Sequence, residues 1–243
     1  MRQSPQQNAS DKGGLPPLSL AFADRWACQP IIGVKRQMFR MDDEHAHLAD
    51  AAFQTVRDAV LKRDNYSCRF CSFKGAKYQE VHHYDNNHQN NDPNNLLTVC
   101  NLCHQVHHAF LCGTANAGFF AVIPELTQTE VNHICRAMFV AQMIGDQNVK
   151  DKLTGLYALF RAGADELKLP FETDISAPTT IAQVLAVIDQ EPFDKRAETL
   201  SNIRLVPTKE AFHAGQLEYY AVNQRQQFSP ENWGALARQL MGA

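Results

Sequence analysis

The chain has 243 residues, 44% of them hydrophobic, enough to bury a sizeable core either as one large domain or as a small module fused to a helical one. A formal net charge of −3 argues against a protein whose affinity rests on neutralising many phosphates, and no stretch approaches the roughly 18 apolar residues of a bilayer span. Seven cysteines, an odd number with no secretion signal, suit a reducing cytosol better than a disulfide framework.

In chain order, residues 1–18 are rich in Gln, Ser, Asn, Gly and Pro and read as a flexible tail, because such a composition buries too little apolar surface to offset ordering entropy. Residues 30–34 form either a short strand or a packed arm. Over 48–63 the apolar residues Leu48, Ala51, Ala52, Val56, Ala59 and Val60 fall on one helical face. Lys62 and Arg63 suit the last turn of that helix, and 64–66 read as a turn. Cys68 and Cys71 follow, then a strand over 79–84 that carries His82 and His83. The loop 84–94 is dense in Asn and holds no Lys or Arg. Arg57, Lys62, Arg63, Arg69, Lys74 and Lys77 amount to a solvated basic face or a modest patch.

Beyond it come Asn95, Cys100-x-x-Cys103 and His104-x-x-x-His108, a strand over 119–123, and a helix that opens with Thr127 and Glu130 as a capping box. Further helices are expected over 149–162, 180–189, 195–203, 209–222 and 230–241, the last with Ser229 as N-cap. The chain thus divides into a tail (1–18), an arm, leading helix and zinc-stapled module (19–116), and a mainly helical region (117–243) that packs with the module or apart from it. The aromatic residues Trp26, Tyr219, Tyr220 and Trp233 read as core.

Two Cys-x-x-Cys pairs separated by 28 residues match the ligand pattern of a closed tetrahedral Zn²⁺ site: Cys68, Cys71, Cys100 and Cys103. Cys28, Cys112 and Cys135 are left as buried thiols. His104 and His108, four apart, share one face of a helix that begins in the second pair. Strand alternation sends His82 and His83 to opposite faces unless the strand is bulged or ending there. His82 and His104 are either ligands of a second cation or partners of the zinc thiolates. His88 and His107 read as exposed, and His45, His47, His133 and His213 as surface or capping groups.

The constellation His82, His83, Asn95, His104 and His108 resembles the HNH endonuclease superfamily. That resemblance implies an α+β fold with a ββα-metal module, a catalytic cation (Mg²⁺, Mn²⁺, Ni²⁺ or Zn²⁺) at His82, His104 and His108, His83 as general base and Asn95 as a brace. A second resemblance, carried by 62–71, 123–132 and 202–207 and covering roughly 53–212, is to the IcmJ/DotN family of the type IVB (Dot/Icm) secretion system. It implies a zinc-containing, HNH-derived adaptor, cytoplasmic and peripheral to the inner membrane, that binds the C-terminal tail of a DotL-like coupling-protein ATPase. Two functions stand side by side: that adaptor, or a metal-dependent DNA endonuclease.

Overall fold

The structure, a computed structural model, describes residues 29–36, 46–168 and 174–233, with the backbone path alone for 46–52. The expected tail, Trp26, Cys28, His45, the His47 side chain and most of the expected 230–241 helix lie outside the described residues.

Helix α1 (Ala46–Arg63) ends where its basic last turn meets the hairpin. Arg63 donates to the carbonyls of Pro93 and Leu96, each at 2.7 Å, while the buried Asp64 carboxylate accepts the Thr98 amide at 3.0 Å. Val60 and Leu61 of α1 bury themselves against Val81 and Leu96, which makes a small satellite core on one face of the hairpin.

That hairpin pairs β1 (Gln79–His83) with β2 (Leu96–Cys100), antiparallel, with Gln79 opposite Cys100 and His83 opposite Leu96. Cys100 closes β2 and is the N-cap of α2 (Asn101–His107); α3 (Ala109–Thr114) follows after a break at His108, whose backbone leaves the helical region (φ −126°, ψ 52°). The segment 30–34 is a packed arm: Ile32 and Val34 are buried, and Gly33 exchanges backbone hydrogen bonds with Val106 and Ala109.

Next come β3 (Gly118–Val122), α4 (Gln128–Ile144) with its capping box formed between Thr127 and Glu130, α5 (Gln147–Asp165) and α6 (Pro178–Val187). Of the expected helix over 195–203 only one short turn forms. Two short helices, α7 (Gln190–Asp194) and α8 (Arg196–Thr199), lead into a strand, β4 (Ile203–Pro207), that pairs antiparallel with β3. The β-branched Ile203 and Val206, with Pro207 at the end, suit a short strand, and the buried Gln128 side chain extends its pairing, donating to the Leu205 carbonyl at 2.8 Å and accepting the Leu205 amide at 2.9 Å. The expected helix over 209–222 is likewise split into a short 3₁₀ turn (Lys209–Ala211) and α9 (Gln216–Asn223). Gly215, at φ 74°, turns the chain between them in a conformation that side chains resist.

The largest core cluster is continuous from Cys68, Leu97 and Val106 to Phe139, Tyr220 and Phe228, so the cysteine-bearing hairpin and the helical region share one interior. Phe73, just past the first cysteine pair, meets Tyr220 edge-on at 5.4 Å between ring centroids. No helix among the described residues is long and apolar enough to cross a membrane.

Candidate metal centres

Cys68 and Cys71 sit in a tight turn. The Cys68 amide donates to Phe73 O and the Ser72 amide to Cys68 O, and Ser72 takes the left-handed conformation (φ 59°) that closes such a turn. Arg69 N donates to Thr98 O at 2.8 Å and lays this turn against β2. Cys100 and Cys103 come from the strand end and the first turn of α2. All four cysteines are buried, and their Sγ atoms lie within 4.8 Å of one another, with Cys71 and Cys100 at 3.7 Å. A tetrahedral cation with sulfur at about 2.3 Å subtends an S···S edge of about 3.8 Å, so the donor set fits Zn²⁺ in type and size. Burial pushes the Cys68 thiol well above its ordinary range, and contact with Cys100 does the same for Cys103. A bound dication removes that penalty by holding the sulfurs as thiolates. Cys112 and Cys135 are buried apart from this cluster, and burial pushes both thiols up to about 12.

A second cluster lies on the α2 face of the hairpin. Alternation along β1 turns His82 and Glu80 toward α2 and His83 toward α1. His82, His104 and His108 each bring a ring nitrogen within 4.8 Å of the others, and the Nε2 atoms of His104 and His108 are 3.0 Å apart. Two nitrogens bound at about 2.1 Å and about 90° to 109° would lie about 3.0 to 3.4 Å apart, so this donor set also fits a divalent cation. His104 Nδ1 donates to Glu80 Oε2 at 2.5 Å, which leaves the Nε2 lone pair facing His108. Burial, reinforced by the neighbouring imidazoles, holds His82 well below its ordinary range and His108 at about 3, so these rings are neutral, lone-pair donors at pH 7.

His83 is not part of that triad. Its ring lies 5.2 Å from Phe53 of α1, Nε2 donates to Asn91 Oδ1 at 3.0 Å, and burial lowers its pKa. It rejoins the triad only at the strand end, where His82, His83, His104 and His108 line a cavity of about 30 Å³ with Asn86 and His88. Asn95 braces the loop above. Its Nδ2 donates to Asp85 Oδ1 and Asn90 O, each at 2.9 Å, and its Oδ1 accepts the Asp85 amide at 3.1 Å.

Several expectations for individual residues change. His107 is not an exposed residue: its ring stacks on His82 at 4.6 Å and packs on Phe70 at 5.0 Å. His133 and His213 are exposed, as expected, but each has a defined partner: His133 donates from Nε2 to the Cys71 carbonyl at 2.8 Å, and His213 reaches Glu80 Oε1 at 2.8 Å. The hydrogen bonds to the clustered cysteine sulfurs come from Asn132 and Arg136 of α4, in the role considered for His82 and His104. Glu80 was within reach of the sequence, since it lies two residues before His82 and so on the same face of a strand. Asn132, Arg136 and His213 had no comparable signal. Asn86, at φ 59°, turns a buried Oδ1 with no partner toward the same cavity.

The fold and its clusters define a mixed α+β protein with small sheets and two candidate metal centres, one of four thiolates and one of three imidazoles. No family model matches the chain. Over 180 residues it is 28% identical to the type 4 apparatus protein DotN of Legionella pneumophila, an alignment that covers 73% of this chain and 83% of that protein.

Proposed function

We propose that this chain is a component of a type IV secretion apparatus of the Dot/Icm kind, and that it acts there as a zinc-stabilised adaptor built on an HNH-like module. The observation that carries the reading is the similarity to DotN, which covers 73% of this chain rather than one short motif. In this reading Cys68, Cys71, Cys100 and Cys103 hold a structural Zn²⁺, and the shared core displays a surface that binds the C-terminal tail of a DotL-like coupling ATPase, on the cytoplasmic side of the inner membrane. Co-expression with such a tail tests it: a stable complex on size exclusion is expected, and failure to bind at any ionic strength overturns it.

A second reading, metal-dependent cleavage of DNA, is favoured by one specific observation, the convergence of His82, His104 and His108 beside a cavity that His83 also lines. A divalent cation bound there would stabilise charge developing on a leaving oxygen. His83, with its proton on Nε2 toward Asn91, keeps Nδ1 free to accept a proton from water. Asn95 holds the loop that carries Asn91. Plasmid nicking with Mg²⁺, Mn²⁺ or Ni²⁺ should vanish in His83→Ala while zinc content stays unchanged. If wild type leaves DNA intact with each of these metals, the chain is an adaptor alone.

A further inference from the structure

Arg136, in the middle of α4, is 1% exposed. Its guanidinium lies 3.9 Å from the centre of the Phe73 ring, Nη1 meets His133 Nδ1 at 3.3 Å, and Nη2 donates to Cys100 Sγ at 3.0 Å. Among the described residues no carboxylate lies within ion-pair distance of it. A guanidinium does not lose its proton in a protein, and a buried charge without a counter-charge is among the costliest things a fold can contain. The balancing charge must therefore come from what surrounds Arg136; among the described residues there, the Tyr220 phenol is pushed up to about 12 by burial and stays neutral at pH 7, which leaves the sulfurs. Four neutral thiols supply none. Four thiolates around a divalent cation carry a net charge of two minus, which one buried arginine halves.

Asn132, one turn earlier on the same face, donates from Nδ2 to Cys103 Sγ at 3.3 Å, and its Oδ1 accepts from Gln128, the residue that also pairs with β4. His133 adds its bond to the Cys71 carbonyl. One face of α4 therefore presents its polar side chains to the cysteine cluster, and the same helix anchors β4 and the helical region.

We propose that Arg136 is the resident counter-cation of a metal–tetrathiolate centre, and that α4, with the core behind it, docks fully only when the cysteines hold a divalent metal. Arg136 is a positioning residue in this account, since it acts through the ligand Cys100. The inference rests on the zinc reading of the four cysteines and deepens it.

The test uses the full chain loaded with one equivalent of Zn²⁺, as wild type, Arg136→Met and Arg136→Lys. Zinc transfer to a chromogenic chelator should show an affinity about tenfold or more weaker in Arg136→Met, within the range seen when a residue behind a metal ligand is lost, and largely retained in Arg136→Lys. A residue that merely fills space would lower the melting temperature without separating these two variants in zinc affinity. Because Arg136→Met could fail to fold, the wild-type protein loaded with ¹¹³Cd²⁺ supplies a second readout. Its NMR spectrum should show scalar coupling between the metal and a guanidinium proton, transmitted through the Cys100 sulfur. Absence of any bound metal in wild type would overturn the zinc reading and this inference with it. Bound metal with no coupling, and with equal affinity in Arg136→Met, would overturn this inference alone.

Discussion

Glu80 Oε2 accepts a hydrogen bond from His104 Nδ1 at 2.5 Å, and this contact joins strand β1 to the helix after the hairpin. The other carboxylate oxygen takes His213 Nε2 at 2.8 Å, so one acidic side chain ties the imidazole cluster to the segment that leads into α9. Burial alone would raise the Glu80 carboxyl; the bonds from His104 and His213 outweigh it and hold the group down at about 2. A carboxylate behind a histidine fixes which ring nitrogen faces the cation. Glu80→Gln should weaken binding of Mn²⁺ or Ni²⁺ to the zinc-loaded protein by about 10- to 100-fold, as calorimetric titration would show. Unchanged affinity would mean that the triad orients itself without Glu80.

The cysteine cluster should behave as part of the fold. Structural zinc contributes an apparent 10 to 16 kcal/mol, on the order measured in small zinc modules, to the state that binds it. Elemental analysis is expected to find about one zinc per chain. Cys100→Ser, which removes the sulfur where β2 meets α2, should give insoluble or unfolded protein. A soluble Cys100→Ser variant with the wild-type melting temperature would refute the structural role.

His213 provides a stability change with a defined sign. Its bond to Glu80 raises its pKa above the ordinary 6.5. A histidine raised on folding stabilises the protein fully below its unfolded value and ceases to do so as pH rises through its folded value. The difference in melting temperature between wild type and His213→Gln should therefore be larger near about pH 5.5 than near about pH 8.5. Because the ring is half exposed, about 1 kcal/mol is the ceiling. A difference that grows with pH would contradict the assignment.

Two glycines of α5 should respond in opposite directions. A Cβ on Gly163 would lie 2.6 Å from the Val122 carbonyl oxygen, where the helix crosses β3, whereas a Cβ on Gly155 meets nothing within 4 Å. Gly163→Ala should cost about 1 to 3 kcal/mol by overpacking. Gly155→Ala should stabilise by about 0.5 to 1 kcal/mol through helix propensity. At about 2 to 4 °C per kcal/mol for a chain of this size, thermal melts resolve both. Equal shifts would show that α5 can move off β3 to admit the added methyl group.

What depends on short spacing was legible in the sequence. The cysteine pairs, the helix that opens at the second pair, the capping box at Thr127 and the face shared by His104 and His108 each involve residues within a turn or two of one another. The region over 195–207 was not legible. Its strand exists because β3 and the Gln128 side chain, both distant in sequence, accept and donate to its backbone. His82 and His83 show both sides of the matter: alternation alone says that they part, but only the packing of α1 on one face and α2 on the other decides which of them joins the imidazole cluster.

Arg136 marks the limit most sharply. In an amphipathic helix an arginine reads as a solvent contact, and nothing within a few residues of it distinguishes this one. By itself the sequence determined which atoms could ligate metals, because ligand type and local spacing are properties of short segments. Only the tertiary structure decided which charges are buried together, because the cost of a buried charge depends on every group that folding brings within a few ångströms of it.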